Sequence, residues 1–292
     1  MMKKALALLL GTMVLSVGLT GCGKSSSSGE FNKSHEISVV SREDGSGTRG
    51  AFIELFGIEV KDADGNKTDM TIDDANFTNS TSVMMTTVAG NEYAVGYISL
   101  GSLNDTVKAI QIDGATASVD NVKNGSYKIA RPFNIVTLDT VSDVAQDFIN
   151  YIMSSEGQKI VEESGCVAID GVSSYESNGA TGKIVVAGSS SVTPLMEKLK
   201  EAYLAVVTGV EIEVQQSDST TGASATAEGI ADIGMCSREI KDSEKEAGLI
   251  DTTIAMDGIA VIVNNDNPVN GLDSTDIYDI YTGEATKWSD VE

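Results

Sequence analysis

Lys183-Ile184-Val185-Val186-Ala187-Gly188-Ser189-Ser190-Ser191-Val192-Thr193-Pro194-Leu195 is the stretch on which the reading of this chain turns. Lys183 to Ala187 is a short continuous apolar run, the mark of a buried strand. Glycine and serines interrupt it, and from Thr193 to about Val206 Leu195, Met196, Leu199 and Tyr203 fall on one helical face. Outward from here the alternation repeats. Ile37 to Val40, Tyr93 to Ile98, Val210 to Val214, Ile230 to Gly234 and Ile259 to Val263 read as strands. Thr48 to Phe56, stopped by Gly57, reads as a helix, as do Val141 to Met153 and Gly157 to Glu163, the latter ended by Gly165. Strands alternating with amphipathic helices predict an α/β fold, here with two lobes.

Composition removes several function classes. Of 292 residues, 20 are Lys or Arg and 43 Asp or Glu, a formal charge of −23, with one histidine. Catalysis by a Ser-His or Cys-His pair needs a histidine to carry the proton, and His35 stands alone in a polar N-terminal stretch. Nucleic acid is excluded as a partner because its binding needs a basic face. The three cysteines, Cys22, Cys166 and Cys236, show neither CxxC nor HExxH spacing, so no metal site is expected; Cys166 and Cys236 read as buried thiols, with a disulfide as the alternative.

Three loops share one design, in which small hydroxylated residues and glycine lead from a strand into a helix. They are Arg42-Glu43-Asp44-Gly45-Ser46-Gly47-Thr48, Gly188-Ser189-Ser190-Ser191 and Ser217-Asp218-Ser219-Thr220-Thr221-Gly222. Unpaired amides at a helix start, with hydroxyls beside them, form an anion socket without net positive charge. Each loop alone is equally a satisfied helix cap. Gly45-Ser46-Gly47-Thr48-Arg49-Gly50 also matches GxGxxG, but hydroxyls fill the positions a pyrophosphate loop leaves open, and Arg42 precedes it. Only four arginines occur, Arg42, Arg49, Arg131 and Arg238, and two lie in or beside that loop. A guanidinium binds an oxyanion through paired hydrogen bonds, so Arg42 with many neutral donors suits a small tetrahedral dianion. Pairing of Arg42 with Asp44 or Glu43 is compatible with this, since a carboxylate would hold it in the receiving orientation.

At the N-terminus, Lys3 and Lys4 precede an apolar run from Ala5 to Val17, and Leu19-Thr20-Gly21-Cys22 resembles the lipobox of bacterial lipoproteins. Residues 1–21 are therefore expected to be a signal peptide. Diacylated Cys22 and a flexible tether through residue 35 would hold the protein on the outer face of the cytoplasmic membrane.

Val40-Ser41-Arg42-Glu43-Asp44-Gly45-Ser46-Gly47-Thr48-Arg49-Gly50-Ala51-Phe52 resembles a signature of the phosphate-binding lipoproteins that serve ABC phosphate importers. Ala187 to Leu195, Asp232-Ile233-Gly234-Met235-Cys236-Ser237-Arg238-Glu239, Asp257 to Asn264 and Ile280-Tyr281-Thr282-Gly283 are similar to further motifs of that family, which together span nearly the whole mature chain. The resemblance implies a periplasmic-binding-protein type II fold in which each lobe is a mixed sheet flanked by helices. It implies a monomeric, non-enzymatic carrier without cofactor that delivers inorganic phosphate to permease subunits. The implied ligands are Ser190 and Ser191, Thr220 or Thr221, and Ser237 on one lobe, with Arg42, Ser46, Gly47 and Thr48 on the other and Asp44 supporting Arg42. Some members carry an aspartate where Ser237 stands, to accept the proton of hydrogen phosphate. Asp44 and Asp218 are the nearest substitutes in sequence. Sulfate or molybdate binding, and a serine phosphatase using Ser46, stand as alternatives.

The motifs come in a different order from the family's usual one, with the Arg42 segment first and the chain ending just after Trp288, which reads as a circular permutation. One lobe would then comprise 36–116 and 261–292 and the other 127–254, with crossings at 117–126 and 255–260. Cys166 to Lys183 would be the connector, and Glu292 should lie near Glu36 and Ile37.

Overall fold

The computed structural model describes residues 30–62 and 66–291; the expected signal segment, Cys22 and most of the tether lie outside them. In chain order the first part forms Ser38–Arg42 (β1), Gly47–Leu55 (α1), the antiparallel pair Glu59–Lys61 (β2) and Lys67–Asp69 (β3), Asn76–Thr78 (β4), Thr81–Ala89 (α2), Ala94–Ser99 (β5), Lys108–Ala109 (β6), Gln111–Ile112 (β7) and Val119–Lys123 (α3). Then come Ala130–Thr137 (β8), Asp143–Ile152 (α4), Ser155–Glu163 (α5), Gly182–Ser189 (β9), Thr193–Val206 (α6), Val210–Ser217 (β10) and Ser219–Ala227 (α7). Ile233–Cys236 (β11), Asp242–Glu246 (α8), Ile250–Val263 (β12), Gly271–Leu272 (β13) and Ser274–Thr282 (α9) complete it. Local chemistry marks many of these boundaries. Ser46, Ser80, Ser142, Ser154 and Asp218 each accept an amide of the first turn that follows, and Gly57 and Gly165 end their helices at φ 71° and 78°.

One mixed sheet runs in the order β10-β9-β11-β8-β12-β5-β1-β4, with β6 also on β12. β9 lies parallel to both β10 and β11, and β1 parallel to β5 and β4. β12 joins the two halves: residues 250–258 pair antiparallel with β8, and 259–263 pair antiparallel with β5. Helices pack on this sheet around two main cores. Val40, Phe52, Tyr97, Val261, Ile280 and Trp288 belong to one. Phe148, Val186, Leu199, Ile233 and Ile254 belong to the other.

The passage between cores falls between Ile129 and Phe133 on one strand and between Ala255 and Ile259 on the other. The first of these lies later than the 117–126 read from the sequence. That segment carries the short helix α3, and Tyr127 belongs to the first core, its hydroxyl donating to the Ile259 carbonyl at 2.7 Å. β8 has no clear signature because Arg131, Pro132 and Asn134 interrupt its apolar residues. Ile230, expected inside a strand, is exposed, and β11 begins at Ile233.

Residues 36–37 and 286–288 come together at the edge of the first core. Ile37 N–H donates to the Thr286 carbonyl at 2.8 Å, Glu36 bridges Lys287, and buried Trp288 donates from Nε1 to the Tyr93 carbonyl. Residue 292 itself lies outside the described residues.

Residues 168–181, between the second core's α5 and β9, form neither helix nor strand. Asp147 of α4 holds them. Its carboxylate accepts from Tyr175 Oη at 2.6 Å, Asn178 N–H at 2.7 Å and Ser177 Oγ at 3.3 Å, and also from Tyr203 Oη at 2.8 Å. Burial alone would raise the Asp147 pKa, but these donors outweigh it and hold the group below the usual carboxylate range. The stability this contributes is therefore present above the unfolded carboxylate pKa and is lost as the pH falls through the lower folded value. Urea titrations should find Asp147→Asn less stable than wild type by about 1.5–3 kcal/mol at neutral pH, with the gap closing on acidification. A gap independent of pH would contradict this account.

Candidate functional site

β1 delivers Arg42 to its C-terminal end, where the side chain is 2% exposed. Burying a guanidinium is costly unless it is paired and hydrogen-bonded. Glu43 supplies the pairing through two bonds, from Nε and Nη2, each 2.7 Å. Nη2 also donates to Ser190 Oγ at 2.9 Å. Beneath β1, Tyr97 stacks on Phe52 and accepts from the Arg42 amide at 3.1 Å; burial pushes its phenol up to about 12, so it remains a neutral support.

Ser190 opens onto a buried cluster of hydroxyls from both halves of the sheet. Thr48 Oγ1 lies 2.8 Å from Ser191 Oγ and 3.4 Å from Ser237 Oγ. Ser237 Oγ accepts from Ser189 Oγ at 2.9 Å and lies 3.4 Å from Ser219 Oγ. Thr81 Oγ1 lies 3.4 and 3.3 Å from Ser190 and Ser191. A second buried guanidinium, Arg131, donates from Nη2 to Thr48 Oγ1 at 3.0 Å.

Helix starts carry these hydroxyls. Thr48 is in the first turn of α1, Thr81 begins α2, Ser219 begins α7, and Ser190 and Ser191 lead into α6. First-turn amides have no partner within their own helix and carry the positive end of its dipole. The approach is close enough to demand glycine. A Cβ on Gly47 would sit 2.4 Å from Ser219 Oγ and 2.8 Å from Ser237 Oγ, and one on Gly222 would sit 2.6 Å from the Gly188 Cα.

Of the residues expected from sequence, Arg42, Thr48, Ser190, Ser191 and Ser237 share this cluster. Ser46 caps α1, accepting from the Arg49 amide, and Gly47 is the first residue of that helix. Thr221 is exposed and bonds Asp218. Thr220 bonds the Gly45 carbonyl through both its amide and its hydroxyl, which joins the two loops without entering the cluster. The reason is helix phase: with Asp218 as N-cap, Ser219 is the residue turned toward Ser237. Asp44 differs too. Its side chain is 98% exposed and pairs with Arg49, while Glu43 holds Arg42. Asp218 has one oxygen bound by the Thr221 amide and the other by the Thr221 hydroxyl.

Arg131 is an addition to the sequence reading, and Ser189 and Ser219 join the cluster from loops in which other residues were expected to face it. Asp218 as a cap was a usable signal for Ser219; nothing local announces Arg131, because its carboxylate partner Asp257 is far away in sequence. Cys166 and Cys236 are buried free thiols, that of Cys236 pushed up to about 12 by burial. Among the described residues no group of three or more His, Cys, Asp or Glu could hold a metal ion. The cluster thus gathers seven serine and threonine hydroxyls beside the Arg42 guanidinium and the starts of several helices, a set of donors suited to a small anion. Neutralising Glu43 and Asp44 separately tests the pairing: Glu43→Gln should cost about 1–3 kcal/mol in chemical denaturation, and Asp44→Asn less than about 0.5 kcal/mol. The reverse order would return the buttress to Asp44.

The family model described as "PBP superfamily domain" matches residues 26–156 and 173–292. "Phosphate-binding protein PstS 2" of Streptococcus agalactiae serotype V is 52% identical over 290 residues, covering 99% of this chain and 98% of that protein. The protein of the same name from Streptococcus pneumoniae serotype 4 is 44% identical over 276 residues, 94% of each chain. The crystal structure of a phosphate ABC transporter, phosphate-binding protein from Streptococcus pneumoniae TIGR4, superposes with a TM-score of 0.70 at 45% identity, covering 88% of this chain and 100% of that one. With near-complete coverage at this identity, the chain belongs to the PBP superfamily and, within it, to the family of PstS-type phosphate-binding proteins.

Proposed function

We propose that this protein captures inorganic phosphate in the hydroxyl cluster between its two cores and passes it, unchanged, to the permease of an ABC importer. The observation that carries this reading is the convergence of Arg42, Thr48, Thr81, Ser190, Ser191 and Ser237 in one buried place, with hydroxyls of the two cores 2.8 Å apart. A guanidinium edge beside many neutral hydroxyl donors suits a small tetrahedral oxyanion, whose oxygens each accept several hydrogen bonds. The names of the full-length relatives point to the same ligand. Ser46, Gly47 and Thr48 belong to this proposal as the α1 side of the socket, and Ser219 replaces Thr220 and Thr221 on the α7 side.

Chemistry beyond capture has little support. The chain's one histidine, His35, stacks on Tyr93 at 3.9 Å, and Ser46 Oγ is engaged as a helix cap. A carrier must release what it binds, and β8 and β12, the strands passing between the cores, offer the flexing elements for opening and closing lobes. Lipid attachment at Cys22 on the outer face of the cytoplasmic membrane rests on the lipobox-like sequence, and no helix among the described residues is long and apolar enough to cross a membrane. A permuted order relative to the usual family arrangement is supported by the contact of residues 36–37 with 286–287 and by a connector at 168–181. The Streptococcus relatives share this order end to end.

Calorimetry tests the assignment directly. Arg42→Ala should weaken phosphate binding by about 1.5–3 kcal/mol, roughly ten- to a hundredfold, and unchanged affinity would refute the site. Sulfate at equal concentration should fail to displace phosphate at neutral pH. Equal displacement would widen the reading to oxyanions in general.

A further inference from the structure

Arg131 stands on β8 where the chain passes between the cores, directly opposite Asp257 on β12 in the strand register. Both side chains are buried, at 3% and 0% exposure. Nη1 of Arg131 donates to Asp257 Oδ2 and, at 3.3 Å, to the Gly258 carbonyl; Nε donates to the Ser237 carbonyl at 2.9 Å. Asp257 is fixed in turn by the Gly101 amide at 3.1 Å, with the Cys166 thiol 3.8 Å away. One edge of the guanidinium is thus committed to the crossing. The other edge, Nη2, reaches Thr48 Oγ1 inside the hydroxyl cluster, and of its two hydrogens only one has an acceptor among the described residues.

We propose that Arg131 is a second anion-holding guanidinium, presented from the strand crossing and oriented by Asp257, so that ligand charge and lobe closure act on one side chain. The inference rests on the phosphate reading above and adds a residue to it. Its Nη2 edge, unlike the edge bound to Asp257, faces the hydroxyls of Thr48 and the residues around it. Arg42 approaches the same hydroxyls through Ser190, and its charge acts against that of Arg131. A dianion between two like charges relieves that repulsion, which a neutral or absent guest does not. Arg131 also touches the first core through Thr48, the second through the Ser237 carbonyl, and the crossing through Asp257. An oxygen that draws Nη2 therefore pulls on contacts that span the whole passage between cores.

The test uses wild type, Arg131→Lys, and the double variant Arg131→Met/Asp257→Asn, which avoids stranding a buried carboxylate. Isothermal titration with inorganic phosphate should show the double variant weakened roughly ten- to a hundredfold, with Arg131→Lys recovering part of the loss by keeping the charge. In crystals of phosphate-loaded wild type, Nη2 of Arg131 should lie within hydrogen-bond distance of a phosphate oxygen, a result independent of how the variants fold. Wild-type affinity in a natively folded double variant, or a loaded structure in which Nη2 contacts protein alone, overturns the role of Arg131. Failure of wild type to bind phosphate at all overturns the functional reading itself, so the two failures are told apart.

Discussion

Charge buried without water is the constraint around which this molecule is organised. Arg42 and Arg131 are both removed from solvent, and each has one carboxylate behind it, Glu43 and Asp257. The carboxylates neutralise the pairs overall while leaving N–H groups of both arginines directed at the serine and threonine hydroxyls. The two pairs arise differently. Glu43 follows Arg42 in the chain, whereas Asp257 reaches Arg131 only because β8 and β12 lie antiparallel. Fold and site are therefore coupled: the strands that link the two cores also supply the second charge pair.

Long-range attraction contributes little to capturing an anion here. The chain carries a formal charge of −23, so phosphate meets repulsion at a distance, although physiological salt screens charges beyond about 8 Å. In the proposed site, binding strength would come from short contacts: guanidinium edges, hydroxyls and the first amides of α1, α2 and α7. Such donors are strongest where water is absent, which is why the glycine contacts at Gly47, Gly188 and Gly222 matter. Each permits backbone or side chains to approach where a methyl group would hold them apart.

Much of this was legible in the sequence because the signals are local. Strand-loop-helix transitions at Arg42 and Gly188 combine apolar runs, glycine and hydroxyls within a dozen residues, and both loops contribute to the cluster. Ser237 was legible through its motif. Arg131 was not, since a buried ion pair between distant strands leaves no trace in either segment alone. Thr220 or Thr221 was expected from the resemblance, whereas the cap at Asp218 sets a helix phase that turns Ser219 toward Ser237. Similarly, the choice between Glu43 and Asp44 depends on where β1 ends and which side chain turns back, a matter of backbone direction rather than residue type.

The contact between residues 36–37 and 286–287 bears on how the fold is connected. Ile37 is bonded to Thr286 and Glu36 faces Lys287, so the segment that leads into β1 and the segment that follows α9 are neighbours in space. The sheet, the cores and the charge pairs form without a peptide link across this contact. Joining the chain here and opening it at a surface segment such as residues 168–181 would leave every strand of the sheet and both buried charge pairs intact.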